Sequence, residues 1–207
     1  MLYFAYGSNL HHFQMRRRCK DSIFLKKIKL KNFKLLNTTK NKQENISKYF
    51  GKKGTLIIFM CNHCPYVVHL IDHIIGFCEK IKESEVLSIA ISSNDIVNYP
   101  QDSPEKMSIL TKEKKIEFPY FFDHNQDVAH YYKALCTPEF LLFDKNHKLF
   151  YHGRYDKSRP NNGVEITGED LKNAVEMLNK NSKINFLQYP SMGCNIKWIK
   201  GNEPTFN

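Results

Sequence analysis

Acidic residues are nearly missing from the first quarter of the chain: residues 1–53 carry 14 lysines and arginines against 2 acids, while the remainder carries 17 against 19. The net charge of +10 is therefore an N-terminal property and does not describe a basic face spread over a folded domain, which is what a polyanionic partner needs. Arg16-Arg17-Arg18 and the lysines that follow to Lys34 read as a solvated face, and no nucleic acid is expected. Apolar runs long enough to cross a bilayer are missing too, so no membrane partner is expected. The opening Met1-Leu2-Tyr3-Phe4-Ala5-Tyr6 lacks the basic flank and long apolar stretch of an export signal, and the expected location is cytoplasmic. Six cysteines, at 19, 61, 64, 78, 136 and 194, are too scattered along 207 residues to staple a small secreted fold. Repeats and low-complexity segments are lacking. The length and a 42% hydrophobic content suit one domain with an appendage.

What is present is an alternation of strands and helices. Gly54 to Met60 is a β-rich apolar run without polar alternation, as expected of a strand buried on both faces. Pro65 suits a first helical turn, and Val68, Ile71, Ile74, Ile75, Cys78 and Ile81 follow at helical spacing. Val86 to Ile91 reads as a second buried strand, and Ser103-Pro104-Glu105 opens another helix with a cap, a proline and an acid. A strand at 118–122, a helix at 126–135 and a hairpin of 139–143 with 148–151 complete the core. Thr167-Gly168-Glu169-Asp170 has the outline of a capping box for a helix reaching Leu178, and the tail from Asn181 shows no period.

Cys61-Asn62-His63-Cys64 is the only close cysteine pair, and a C-x-x-C alone suits half a zinc site as readily as a redox dithiol. Its position between a buried strand and a helix start favours redox. Unpaired N–H groups and the helix dipole at such a point stabilise a thiolate, and thiols there reach pKa values of about 3.5 to 7.5. Cys61 is then the nucleophile that attacks a disulfide, and Cys64 resolves the mixed disulfide. A protonated His63 would favour the thiolate further. Cys78 falls on an apolar helix face and reads as core.

Five separated stretches carry a family resemblance: Phe59 to Val67, Ala90 to Asp95, Asp102 to Met107, Cys136-Thr137-Pro138, and Gly193 to Trp198. Through them the chain from about residue 33 to 204 resembles the thioredoxin superfamily, in its redoxin branch near alkyl hydroperoxide reductase and thiol-specific antioxidant proteins. The resemblance implies an α/β fold with a central mixed sheet flanked by helices, a domain over 36–180 and a tail over 181–207 packed on it. It also implies a cis bond at Thr137-Pro138 facing the dithiol and offering backbone to an extended substrate. The expected activity is thiol-disulfide exchange with a disulfide-bearing substrate and a thiol reductant system, with no metal and no cofactor. Met60 stands where thioredoxin itself usually has an aromatic. Cys136 and Cys194 are auxiliary candidates, as a third thiol and a further resolving thiol.

Other readings remain open on sequence grounds. A peroxiredoxin-like peroxidase would need one peroxidatic cysteine, usually with Thr or Ser where Cys61 stands. A metal-binding module could use Cys61, Cys64 and Cys136 or His63. Tyr6-Gly7-Ser8-Asn9-Leu10 resembles the gamma-glutamyl-binding loop of gamma-glutamylcyclotransferase-like proteins. That likeness ends near residue 35, too soon for the rest of such a fold, and reads as a truncated remnant or a short strand and helix appended to the main sheet.

Overall fold

Gly54-Thr55-Leu56-Ile57-Ile58-Phe59 is buried at every position, and the rest of the chain is arranged around it. In the computed structural model, which describes residues 28–204, the elements run in the order β1 (Lys34–Asn37), β2 (Lys42–Asn45), β3 (Gly54–Phe59), α1 (Pro65–Lys82), β4 (Val86–Ser92), α2 (Pro104–Glu113), β5 (Tyr120–Phe122), α3 (Asp127–Tyr132), β6 (Cys136–Thr137), β7 (Glu139–Asp144), β8 (Leu149–Gly153), α4 (Glu169–Asn179) and β9 (Cys194–Asn195). The main sheet has the order β2-β1-β5-β4-β3-β7-β8, and β6 and β9 form a separate two-stranded ribbon. β3, β4 and β5 are parallel to one another, while β7 and β8 on one flank and β1 and β2 on the other run antiparallel to their neighbours.

The period-2 alternation of β3 divides the interior. Leu56 and Ile58 enter the cluster built with α1, α2 and α4, whereas Ile57 and Phe59 enter the one built with α3 and the turn at Ile46. Covering on both faces explains the continuous apolar sequence of a central strand. α1 contributes Val67, Leu70, Ile71, Ile74, Ile75, Cys78 and Ile81 to the first cluster; at roughly 1.5–3 kcal/mol per fully buried large side chain this face is the main anchor of the helix. Val68, expected on that face, is 60% exposed and Val67 takes the buried position. The helical phase is set by the whole stripe.

Other boundaries shift for local reasons. The helix expected over 126–135 spans only Asp127–Tyr132, because Lys133 turns left-handed at φ 53° and ends it. The capping box does not form. Gly168 is the N-cap at φ 64°, with no room for a side chain since an added Cβ would stand 2.7 Å from the Tyr155 ring. The N–H groups of Thr167 and Gly168 donate to buried Asp156, and Asp170 pairs with Arg154 instead of capping. Residues ahead of β1 are already docked, with Lys29 bridged to Lys148 and Leu30 N–H bonded to the His147 carbonyl. The cyclotransferase-like stretch Tyr6 to Leu10, and Cys19, lie outside the described residues.

Candidate functional site: a dithiol beneath the C-terminal tail

Strand register brings the motif residues together. Phe59, two residues before Cys61, pairs with Glu139, the residue after Pro138. The dithiol and the Thr137-Pro138 turn therefore leave neighbouring strands at the same end of the sheet. The Thr137-Pro138 bond is cis. Cys64 is the N-cap residue of α1 and Pro65 its first residue, while Cys61 lies in the approach loop just after β3. Cys61 Sγ is 3.5 Å from the Thr137 hydroxyl, and Cys64 Sγ is 3.0 Å from the Thr137 carbonyl oxygen. Both cysteines are buried free thiols.

The anion seated at the approach to α1 is Asp102, a residue the sequence reading passed over as the neighbour of a helix cap. Its carboxylate is fully buried and accepts from Asn62 N–H at 2.8 Å and His63 N–H at 3.3 Å through Oδ1. Through Oδ2 it meets His63 Nδ1 at 2.6 Å and accepts from Asn94 Nδ2 at 2.8 Å. The His63 ring stacks on Tyr99 at 5.7 Å and stands 3.9 Å from Cys61 Sγ. The N–H groups of Asn62 and His63, between the two cysteines, are thus taken by a carboxylate. The only sequence signal for it was its place in the Asp102 to Met107 stretch.

Electrostatics at the thiols differ from the expectation for a helix start. Cys61 is pushed up by its hydrogen bond with Cys64, by burial and by the charge of Asp102, with the Thr137 hydroxyl opposing. Cys64 is pulled down by hydrogen bonds from the thiols of Cys194 and Cys61, helped by the Thr137 hydroxyl and the Cys194 N–H, against burial. The Thr137 carbonyl, accepting from the Cys64 thiol at 3.0 Å, favours its protonated form and opposes this pull. The charge of the first ionisation belongs to the group of thiols jointly. Cys194 is pushed up by Cys64 and by burial, with Lys197 opposing.

The tail that showed no period is a defined structural element. Thr137 pairs with Cys194 and Cys136 with Asn195 in the β6–β9 ribbon, and buried Ile196 bonds to the Leu135 carbonyl at 3.0 Å. A Cβ on Gly193 would fall 2.0 Å from the Thr137 carbonyl oxygen, so only glycine permits this approach. Asn94 accepts from Lys197 N–H at 2.9 Å, and Gln126 donates to the Lys197 carbonyl at 2.9 Å while accepting from Ile199 N–H at 3.0 Å. Cys136 is partly buried against Glu139, which holds the Leu135 and Cys136 N–H groups at 2.7 and 3.1 Å and also binds His152. Burial and that carboxylate push the Cys136 thiol up. The structure therefore gathers Cys61, His63, Cys64, Cys136, Thr137, Pro138 and Cys194 at one end of the sheet.

Cys61, His63 and Asp102 place one ligand atom each within 4.8 Å of one another. Asp102 is already fully engaged with donors, two of them fixed backbone N–H groups, so an ion there would displace hydrogen bonds that shape the loop.

A redoxin profile matches residues 26–171. The chain belongs to the redoxin family. Among solved structures, this redoxin is 38% identical to an uncharacterized conserved protein from Geobacillus kaustophilus, covering 83% of this chain and 90% of that one at a TM-score of 0.80. It is 34% identical to a hypothetical protein from Sinorhizobium meliloti 1021, covering 84% and 94% at a TM-score of 0.80. The exposed lipoprotein thioredoxin Etrx1 of Streptococcus pneumoniae strain TIGR4 shares the fold at a TM-score of 0.53 and 13% identity, over 70% of this chain and 98% of that one. No curated protein sequence matches the chain. The fold is thioredoxin-like, and family membership places the redoxin among thiol-based oxidoreductases. The match begins at residue 26, after the cyclotransferase-like stretch, and lends that resemblance no support. Among the described residues no helix is long and apolar enough to cross a membrane.

Proposed function

We propose that this redoxin is a thiol-disulfide oxidoreductase whose Cys61 and Cys64 exchange a disulfide with a protein or small-molecule substrate. The observation that carries the reading is the seating of both sulfurs against Thr137, at the cis turn and beside the N-terminus of α1. Cys61, on the loop side, attacks one sulfur of the substrate disulfide and forms a mixed disulfide. Cys64 then displaces the substrate thiol and closes the Cys61–Cys64 bond, and the reverse sequence oxidises a substrate dithiol. The His63–Asp102 pair borders Cys61 and provides a route for its proton.

The test is reduction of a model disulfide by dithiol-charged protein, followed with wild type and Cys61→Ser. Turnover is expected to fall to background in the variant, and undiminished turnover would refute the assignment. The Cys61–His63–Asp102 grouping also motivates metal analysis of freshly purified protein. A stoichiometric ion would favour a metal-binding module over a free dithiol.

A further inference from the structure

We propose that Cys194 is a third exchange thiol, held by the chain's own tail where it passes a disulfide to and from Cys64. The proposal rests on the dithiol reading above and deepens it. Cys64 is the common neighbour, its ionisation eased by the thiols of Cys61 and Cys194 alike. A second, independent observation is the backbone. β9 lies antiparallel on β6 with Cys194 opposite Thr137, the residue whose hydroxyl and carbonyl touch Cys61 and Cys64. An extended segment carrying a thiol is thus docked on the edge beside the dithiol, which is the posture of a peptide substrate added to a strand edge. Here that segment belongs to the same chain.

The tail is built to stay. Gly193 permits the close approach to Thr137, and Asn94, Asp95 and Gln126 hold Lys197 and Ile199 through backbone hydrogen bonds. Exchange with Cys194 is therefore intramolecular and needs no encounter. Starting from the Cys61–Cys64 disulfide, the Cys194 thiolate attacks Cys64 Sγ. The Cys64–Cys194 bond forms, the Cys61–Cys64 bond breaks, and Cys61 leaves as a thiolate that takes up the proton Cys194 gave up. One disulfide and one thiol stand on each side, so the oxidising equivalent is the one the external disulfide delivered. Lys197, which favours the ionised form of Cys194, lies three residues along the same tail. The consequence is that oxidised protein keeps a free Cys61, ready for a second substrate, while the disulfide is stored inside.

The experiment is oxidation of the reduced full chain with one equivalent of oxidised glutathione, acid quench, alkylation and disulfide mapping by mass spectrometry. Wild type is expected to contain both Cys61–Cys64 and Cys64–Cys194, the latter on the order of a tenth or more of the oxidised protein. Cys61→Ser should collect the Cys64–Cys194 bond almost alone. Gly193→Ala, which forces the tail off Thr137, should lower the Cys64–Cys194 share several-fold while Cys61–Cys64 still forms. A Cys61–Cys64 bond without Cys64–Cys194 in wild type, together with a persistent glutathione adduct on Cys64 or a Cys64–Cys136 bond in Cys61→Ser, would overturn the role of Cys194 and leave the dithiol reading standing. Failure of wild type to form Cys61–Cys64 at all would overturn both.

Discussion

Asp102→Asn is the substitution that most directly tests how the dithiol loop is held. The native carboxylate is fully buried and serves four donors, two on each oxygen. An asparagine carbonyl can replace Oδ1 and keep the Asn62 and His63 N–H bonds. Its amide then faces Asn94 Nδ2, which cannot turn over without surrendering the Lys197 N–H bond held by its oxygen. The opposite flip is worse, because it confronts two backbone donors. At least one buried donor is left unpaired, costing about 1–3 kcal/mol, and the bonds that survive lose their charge assistance. The sum is about 3 kcal/mol, or roughly 6–12 °C in Tm for a chain of this size. Reversible urea or thermal unfolding of the reduced protein measures it. The same substitution removes a charge that pushes the Cys61 thiol up, so the Cys61 titration, followed by ultraviolet thiolate absorbance in a Cys64→Ser background, should move to lower pH. A loss of stability under about 1 kcal/mol, or a Cys61 titration displaced upward, would refute this account of the loop.

Glu139→Ala removes the buried carboxylate that ties Leu135, Cys136 and His152 beside the cis turn, and should cost about 3 kcal/mol in chemical unfolding. Gln126→Ala deletes the amide that bonds to Ser93, Lys197, Ile199 and Asn202; trypsin is then expected to cut after Lys197 several-fold faster than in wild type, and equal cutting rates would show that the tail is anchored elsewhere. Cys78, whose thiol burial pushes up to about 12, should resist iodoacetamide in the native protein at roughly pH 8 and react fully once unfolded. Because its pKa is raised, its thiolate grows only as pH approaches that value, so partial native labelling near neutrality would contradict its place on the buried face of α1.

Much of the core was legible from local pattern. β3 and β4 are continuous apolar runs, and α1 and α2 begin at prolines set behind the right neighbours, so period and cap chemistry located them within a residue or two. The Cys61–Cys64 pair was visible as spacing, and its place between a strand and a helix followed from the same patterns. Val68 and the Thr167 to Asp170 segment misled because each obeys a local rule that packing overrode. A valine one position off the buried stripe stays in water, and Asp156 took the N–H groups a capping box would have served.

The sequence by itself determined the alternating α/β architecture and the dithiol, since each depends on residues close together in the chain, while the Thr137-Pro138 turn, 73 and 76 residues from the thiols it meets, was expected to face them only through the family resemblance. Tertiary structure alone decided that Asp102 occupies the anion site near α1, 39 residues beyond His63, and that Cys194 pairs with Thr137, the residue against which Cys64 is seated. The tail has no periodicity because it packs on no large face of its own. It is ordered by backbone bonds to β6 and by the side chains of Asn94 and Gln126, partners roughly 70 to 100 residues away whose contribution no local window of sequence contains.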